Sequence, residues 1–356
     1  MARATDLGIR IGLLPAGPTN SVLDVPGVGL GHATVWRDEP EPPAGRGVAR
    51  TGVTVLSVAD DAFRRPIPAG GAVLNGAGEC TGFLAAAEWG LIETPVFLTS
   101  TMQLGRVYDA ACELLVDEQP LIGEDVAIPV VAECDDSFLS EVRRMQVTKA
   151  DVRAAWADAR SSVGSLLPPV EGSVGAGTGM SCLGFKGGIG TASRVVPSGH
   201  TVAVVLMTNF GSRDRLTVAG VPVGLLLPPD PFQPAPGPSG SCIGVVVTDA
   251  PVDAAACSRL ARRVGLGLAR TGSTAHHGSG EIFLACATGI RADRDGRPRG
   301  PEPLAGRDLD PLFEAVVDAS EEAVLNSMLA SATTTGRAGN TREGLSVHAL
   351  RPLLAR

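Results

Sequence analysis

Five stretches of the chain are apolar almost without a break, and each is bounded by Gly, Pro or Ser: GVTVLSV (52–58), PVFLTST (95–101), TVAVVLMTNF (201–210), CIGVVVTDA (242–250) and EIFLACATG (281–289). Runs this short and this rich in β-branched residues predict strands, and a strand that is apolar on both faces must be covered on both faces. The cover is present in the same sequence. Val152, Ala155, Trp156 and Ala159 recur at helical spacing behind a capping pair, Thr148 with Asp151. Cys257, Leu260, Ala261, Val264 and Leu268 form a second apolar stripe, and Phe313, Val316, Val317, Val324 and Met328 a third. Buried strands with amphipathic helices predict layered α/β packing, helices lying outside sheets.

A proline-rich segment, PPDPFQPAPGPSG (228–240), interrupts this pattern. Pro228, Pro229, Pro231, Pro234, Pro236 and Pro238 exclude helix and ladder alike and predict an extended surface loop, with strand CIGVVVTDA starting directly after it. Such a loop serves either as a linker or as a processing site.

Composition narrows the partners. The formal charge of −8, with scattered basic residues, argues against nucleic acid. Seven cysteines in no CxxC spacing predict reduced thiols and no zinc site. Asp6 and Arg10 break the N-terminal apolar run that a signal peptide needs, and no apolar stretch is long enough to span a bilayer. A cytoplasmic chain that needs no membrane, metal or cofactor is expected.

The junction of loop and strand is Gly240–Ser241. A serine hydroxyl needs a base, usually a histidine held by a carboxylate, yet His32, His200, His276, His277 and His348 lie in no triad signature and no GxSxG elbow exists. The alternative base is the α-amine released when the bond before Ser241 breaks, whose ordinary pKa of about 7.7–8.0 leaves a neutral fraction at pH 7. Glycine at 240 would let the loop hold the scissile peptide in a strained conformation.

Three further places could support such a centre. Ser279 and Glu281, two apart at the start of a strand, share one face with Phe283 and could either hold a proton network or end a solvated strand. Asn209 closes a strand and could either donate to an oxyanion or form an Asx turn. Glu133, with Asp135 and Asp136, is either an ammonium site or a solvated acidic loop. The glycine-rich stretch 172–190 matches no nucleotide-binding fingerprint, since Lys186 is followed by Gly187. Cys182 within it reads as a structural thiol.

Eight segments in order, PAGPTNSVLDVPGVGLGH (15–32), RTGVTVL (50–56), NGAGECTGF (75–83), VGAGTGMSCLGFKGGIGTASR (174–194), TNFGSRDRLTVAGVPVG (208–224), GSCIGVVVTDAP (240–251), ARTGSTAHHGSGEIFLA (269–285) and NSMLASATTTGR (326–337), resemble the self-processing L-aminopeptidase/D-esterase and β-aminopeptidase family. The resemblance implies a four-layer αββα sandwich like that of N-terminal-nucleophile hydrolases. It also implies one domain over 1–356, cut between 240 and 241 into an α chain (1–240) and a β chain (241–356), assembled as a homotetramer of cleaved pairs. It makes Ser241 the nucleophile and Gly240 its cleaved partner, Ser279 and Glu281 its supports, and Asn209 the oxyanion donor. Glu133 becomes the ligand of the substrate amine, with Asp135 beside it. The substrate would be a small peptide or aminoacyl amide or ester. Alternatives on the same fold are an acyltransferase and a catalytically impaired ligand-binding member. One departure stands out: the family carries a tyrosine shortly after that glutamate, whereas this segment reads AECDDSF, with Asp135 or Phe138 at the corresponding place and Tyr108 the only tyrosine. Loss of an oxyanion donor costs about 2.7–4 kcal/mol, which implies slower turnover or a different substrate.

Overall fold

A computed structural model describes residues 2–232 and 239–354; Pro234, Pro236 and Pro238 of the expected loop lie outside the described residues. Two sheets dominate. The four-stranded sheet has the order β1 (Gly29–Asp38), β2 (Val48–Ser57), β5 (Val96–Ser100), β6 (Val130–Cys134). The six-stranded sheet has the order β4 (Leu91–Ile92), β3 (Ile67–Gly76), β12 (Gly278–Ala287), β11 (Ser239–Thr248), β10 (Thr201–Asn209), β9 (Ile189–Val195). Pairing is antiparallel except for β5 with β6 and β11 with β12. Three hairpins of two-residue strands complete the β structure: β7 (Ser181–Cys182) with β8 (Phe185–Lys186), β13 (Arg291–Ala292) with β14 (Pro298–Arg299), and β15 (Thr334–Thr335) with β16 (Thr341–Arg342).

The helices are α1 (Leu104–Glu118), α2 (Lys149–Ser161), the single turn α3 (Val223–Leu226), α4 (Ala254–Thr271), α5 (Asp310–Leu329) and α6 (Val347–Leu354). Three apolar clusters define the layering. Val53, Val55, Phe97 and Val131 of the first sheet pack against α1 and α2 through Val107, Leu114, Val152 and Ala155. Leu56, Leu98 and Val130 meet Val205, Ile243 and Leu284 between the sheets. Val204, Val246 and Phe283 meet Leu260, Val264 and Val316 of α4 and α5. The architecture is therefore the expected αββα sandwich. The capping pair of α2 forms as read: Thr148 accepts from the Asp151 N–H, and Asp151 accepts from the Thr148 N–H at 2.8 Å.

Two differences from the sequence reading matter for the site. Strand β11 starts at Ser239 rather than Cys242, so the Gly240–Ser241 peptide lies inside a ladder and not ahead of it. Gly240 is also not strained, since its φ is not positive and its backbone is extended. The close neighbourhood explains the glycine instead: a Cβ there would lie 2.1 Å from the Asn209 carbonyl oxygen and 2.8 Å from the Phe210 Cα.

Helix α5 is buried on nearly every face, and its buried carboxylates are paired. Glu322 takes the fully buried Arg194 guanidinium at 2.6 Å and the Asn20 amide at 2.6 Å, while Arg194 also donates to the Ile11 carbonyl at 2.8 Å. This network holds the N-terminal segment and β9 onto α5. Removing one member strands a buried charge, which typically costs 3–5 kcal/mol. Glu322→Ala should lower the unfolding free energy by about 3–5 kcal/mol in urea titration, and Arg194→Met with Glu322→Leu by much less.

Candidate active site

The ladder of the six-stranded sheet brings four of the sequence-identified side chains to one end. Asn209, the last residue of β10, faces Ser241 across the antiparallel pair, and Ser241 faces Gly280 across the parallel pair. All four side chains, Ser241, Asn209, Ser279 and Glu281, are buried. Ser241 Oγ donates to the carbonyl oxygen of Gly240 at 2.7 Å and accepts from the Gly280 N–H at 3.3 Å. Gly280 is required by proximity, because a Cβ there would lie 2.6 Å from the Ala77 carbonyl oxygen.

Ser279 and Glu281 do share a face, and the Ser279 hydroxyl donates to Glu281 Oε1. Glu281 Oε2 has no hydrogen-bond partner among the described residues although it is buried. Burial raises the Glu281 carboxyl above its ordinary value, and the Ser279 hydroxyl opposes that rise by bonding to the charged form. Asn209 does not make an Asx turn. Its Oδ1 accepts from the Ser181 N–H at 2.8 Å and its Nδ2 donates to the Asp135 carbonyl at 2.8 Å, which fixes the amide with one N–H left over.

Glu133, at the end of β6 in the other sheet, is buried rather than solvated. Its Oε1 accepts from the Glu79 N–H at 2.8 Å and its Oε2 from the Thr101 hydroxyl. Burial raises its carboxyl, the Thr101 and Glu79 hydrogen bonds lower it, and Asp135 and Glu79 raise it again through like charge. Gly78 joins the two halves of the site: a Cβ there would sit 3.3 Å from Glu133 Oε1 and 3.5 Å from the Gly280 Cα. A cavity of about 490 Å³ opens beside it, walled by Val73, Phe83, Leu84, Ile128 and Ile282, with Glu79 on its lining. The combination of apolar walls with a few convergent polar groups suits a small organic substrate.

Asp135 contributes its backbone to the site. Its exposed carboxylate turns away to the Ser137 N–H at 2.9 Å and the Ser137 hydroxyl at 2.8 Å, and its carbonyl holds Asn209. Phe138 lies under the Arg342 guanidinium at 3.9 Å. Tyr108 packs among the α1 and α2 residues of the outer cluster, so no phenol reaches the site. Among the described residues no histidine side chain bonds to Ser241, Ser279 or Glu281. His32 sits between Thr54 and Asp158, and burial lowers its pKa to about 4. Burial pushes the Cys182 thiol up to about 12, as befits a structural cysteine. Lys186 is buried in the glycine-rich stretch, where Nζ donates to the carbonyls of Gly177, Met180 and Gly187. No group of three His, Cys, Asp or Glu side chains is placed to hold a metal among the described residues, and none of the described helices is long and apolar enough to cross a membrane.

Sequence reasoning missed Thr101, Glu79 and Ser181 as partners of the site, together with the Gly280 N–H. The motif NGAGECTGF and the glycine-rich stretch contain Glu79 and Ser181, but nothing local ties them to Glu133 or Asn209.

With this geometry in place, comparison with known proteins is decisive. Residues 20–342 match peptidase family S58. The chain belongs to that family. It is 38% identical over 355 residues to the β-peptidyl aminopeptidase BapA of Sphingosinicella xenopeptidilytica, covering 94% of this chain and 86% of the relative. Its fold superposes on a Burkholderia sp. β-aminopeptidase with a TM-score of 0.89 at 38% identity, covering 99% of this chain and 98% of the other. It superposes equally, at 0.89 and 35% identity, on the L-aminopeptidase D-Ala-esterase/amidase of Ochrobactrum anthropi, covering 100% and 98% of the two chains. That structure is described as a prototype for the serine aminopeptidases and a variant of the Ntn hydrolase fold. The relatives are named as aminopeptidases and an esterase/amidase, which favours aminopeptidase or amidase activity over the acyltransferase alternative.

Asn209 ties the end of β10 to Ser181 and to the Asp135 backbone, and its replacement has a readable cost. Asn209→Ala leaves the Ser181 N–H and the Asp135 carbonyl without their bonds, so unfolding in urea should shift by about 1–3 kcal/mol. Asn209→Asp keeps the Ser181 bond but sets a buried carboxylate oxygen against the Asp135 carbonyl, so it should lose at least as much.

Proposed function

We propose that this chain is a self-processing serine aminopeptidase: it cuts the Gly240–Ser241 bond, and Ser241 then acts as an N-terminal nucleophile on small peptides and aminoacyl amides or esters. The observation that carries this reading is the Ser241 hydroxyl held 2.7 Å from the carbonyl oxygen of the very peptide it would cleave, on a strand whose neighbours carry Asn209 on one side and the Ser279–Glu281 pair on the other. Family membership supports it, as do the relatives named β-peptidyl aminopeptidase and L-aminopeptidase D-Ala-esterase/amidase.

In the first reaction Oγ attacks the Gly240 carbonyl carbon. The acyl group passes from nitrogen to oxygen, and water hydrolyses the ester to a Gly240 carboxylate and a free Ser241 amine. The unpartnered oxygen of Glu281 suits that step, since the new amine, when protonated, is a donor in need of an acceptor. In turnover Oγ attacks the substrate carbonyl and its proton goes to the Ser241 amine. Asn209 Nδ2 donates to the oxyanion. The amine then hands its proton to the departing nitrogen as the C–N bond breaks. Water attacks the acyl ester, gives its proton to the same amine, and Oγ leaves carrying it. Glu133, with its Oε atoms braced by Thr101 and Glu79, receives the substrate ammonium, while the neighbouring cavity takes the side chain.

Intact mass under denaturing conditions tests the cut. Wild type should give two species, residues 1–240 and 241–356, and Ser241→Ala one species of 356 residues with no amidase activity. An active wild type that stays a single chain would refute the proposal. Gly240→Ala should slow the cut sharply, because its methyl group would press on the Asn209 carbonyl.

The raised carboxyl of Glu133 gives a pH signature. Ammonium binding needs the carboxylate, so it is lost as pH falls through the folded pKa, which burial places above the ordinary glutamate value. KM for an aminoacyl amide should therefore climb on the acid side earlier than a free glutamate would dictate. Glu133→Gln should raise KM about tenfold or more and flatten that limb. An unchanged acid limb in the variant would remove Glu133 from the role.

A further inference from the structure

The proposed site is rich in carboxylates, namely Glu79, Glu133 and Glu281, as an ammonium-binding end requires. A cation is joined to Asn209 through one intervening residue, Ser181. Arg342, at the end of the β15–β16 hairpin, is buried, and its guanidinium stacks over the Phe138 ring at 3.9 Å. Its Nε donates to the Ser181 hydroxyl at 3.2 Å, and the N–H of that same serine holds Asn209 Oδ1 at 2.8 Å. Arg342 is therefore one residue removed from the amide that faces Ser241. Nε is the one guanidinium atom with a hydrogen-bond partner among the described residues, which leaves both NH2 groups without one within those residues. Asp230 is the opposing charge in its vicinity, and it sits on the segment that leads to Gly240.

Strand order gives the direction. Reading across the sheet as β3, β12, β11, β10, the cavity and Gly78 lie over β3 and β12, Ser241 is on β11, and the Ser181–Arg342 pair lies beyond Asn209 on β10. A substrate whose ammonium reaches Glu133 has its acyl part over β12 and its departing part over β10. We infer that Arg342 is a carboxylate-binding residue for the leaving group, so that this site takes short peptides with a free C-terminal carboxylate as zwitterions, negative protein charge at one end and the Arg342 fork at the other. The planar guanidinium, fixed by Phe138 and Ser181, keeps its two terminal nitrogens in the geometry that carboxylates accept.

This inference rests on Ser241 as nucleophile, and the test separates the two. Steady-state kinetics are measured for a dipeptide and for the same dipeptide carrying a C-terminal carboxamide, with wild type, Arg342→Met and Arg342→Lys. Arg342→Met should raise KM for the free acid about tenfold or more and leave the amide within about twofold, and Arg342→Lys should recover part of the loss. Equal losses on both substrates would make Arg342 a support for Ser181 and Asn209 alone and overturn the inference, as would no change on either. A wild type that hydrolyses neither substrate would instead remove the Ser241 reading. A second measurement needs no variant: inhibition of wild-type amide hydrolysis by the leaving-group amino acid should be about tenfold tighter than by its carboxamide, and equal inhibition by the two counts against Arg342.

Discussion

The pairing of β10, β11 and β12 is the constraint on which the rest of the molecule depends. The antiparallel register that sets Asn209 opposite Ser241, and the parallel register that sets Ser241 opposite Gly280, place an amide, a hydroxyl and a serine–glutamate pair at one sheet end. A slip of one residue would turn each of these side chains to the other face. The apolar alternation forbids such a slip, because Ile243 and Val245 belong between the sheets while Cys242 and Val246 belong under α4 and α5. Core packing and site geometry are thus fixed by one register.

Around that ladder, two close approaches bring separate parts of the chain to Ser241. Gly240 lets β11 lie against the Asn209 and Phe210 backbone, and Gly280 lets residues 77 and 78 reach over from the neighbouring strand. The second approach carries Glu79 and Gly78 to Glu133, an acid that belongs to the other sheet. Burial makes that charge expensive and its hydrogen bonds correspondingly valuable, so Thr101 and the Glu79 N–H are what support a carboxylate there, with no cation paired to it among the described residues.

Much of the sandwich was legible from the apolar runs, and the missing pieces have physical reasons. β1 is an edge strand whose outer half alternates between buried and exposed, so it never forms an apolar run. β3 reads IPAGGAVLNG, which looks like a loop until α4 is seen lying on it, with Gly70 against the Ser258 backbone. The start of β11 was hidden because Ser239, Gly240 and Ser241 have loop composition, and their pairing with residues 278–280 makes them a strand. In the site, Ser279 and Glu281 could be linked from their spacing alone, while Thr101 with Glu133 and Ser181 with Asn209 are contacts between elements that no local pattern encodes. The resemblance supplied roles for single residues, and the register supplied the partners of each.

The strand order carries one more consequence. β11 from Ser241 onward and the whole of β12 follow the Gly240–Ser241 bond in sequence, yet they are flanked in the sheet by β10 on one side and β3 on the other, both of which precede it. A break at that bond would leave two polypeptides interleaved within one sheet, neither able to depart without opening the core. Before the break, refolding is a first-order search by one chain; after it, two fragments must find each other, and recovery becomes second order and dilution-sensitive. A cut enzyme of this topology would owe its persistence to the height of its unfolding barrier more than to the depth of its equilibrium well.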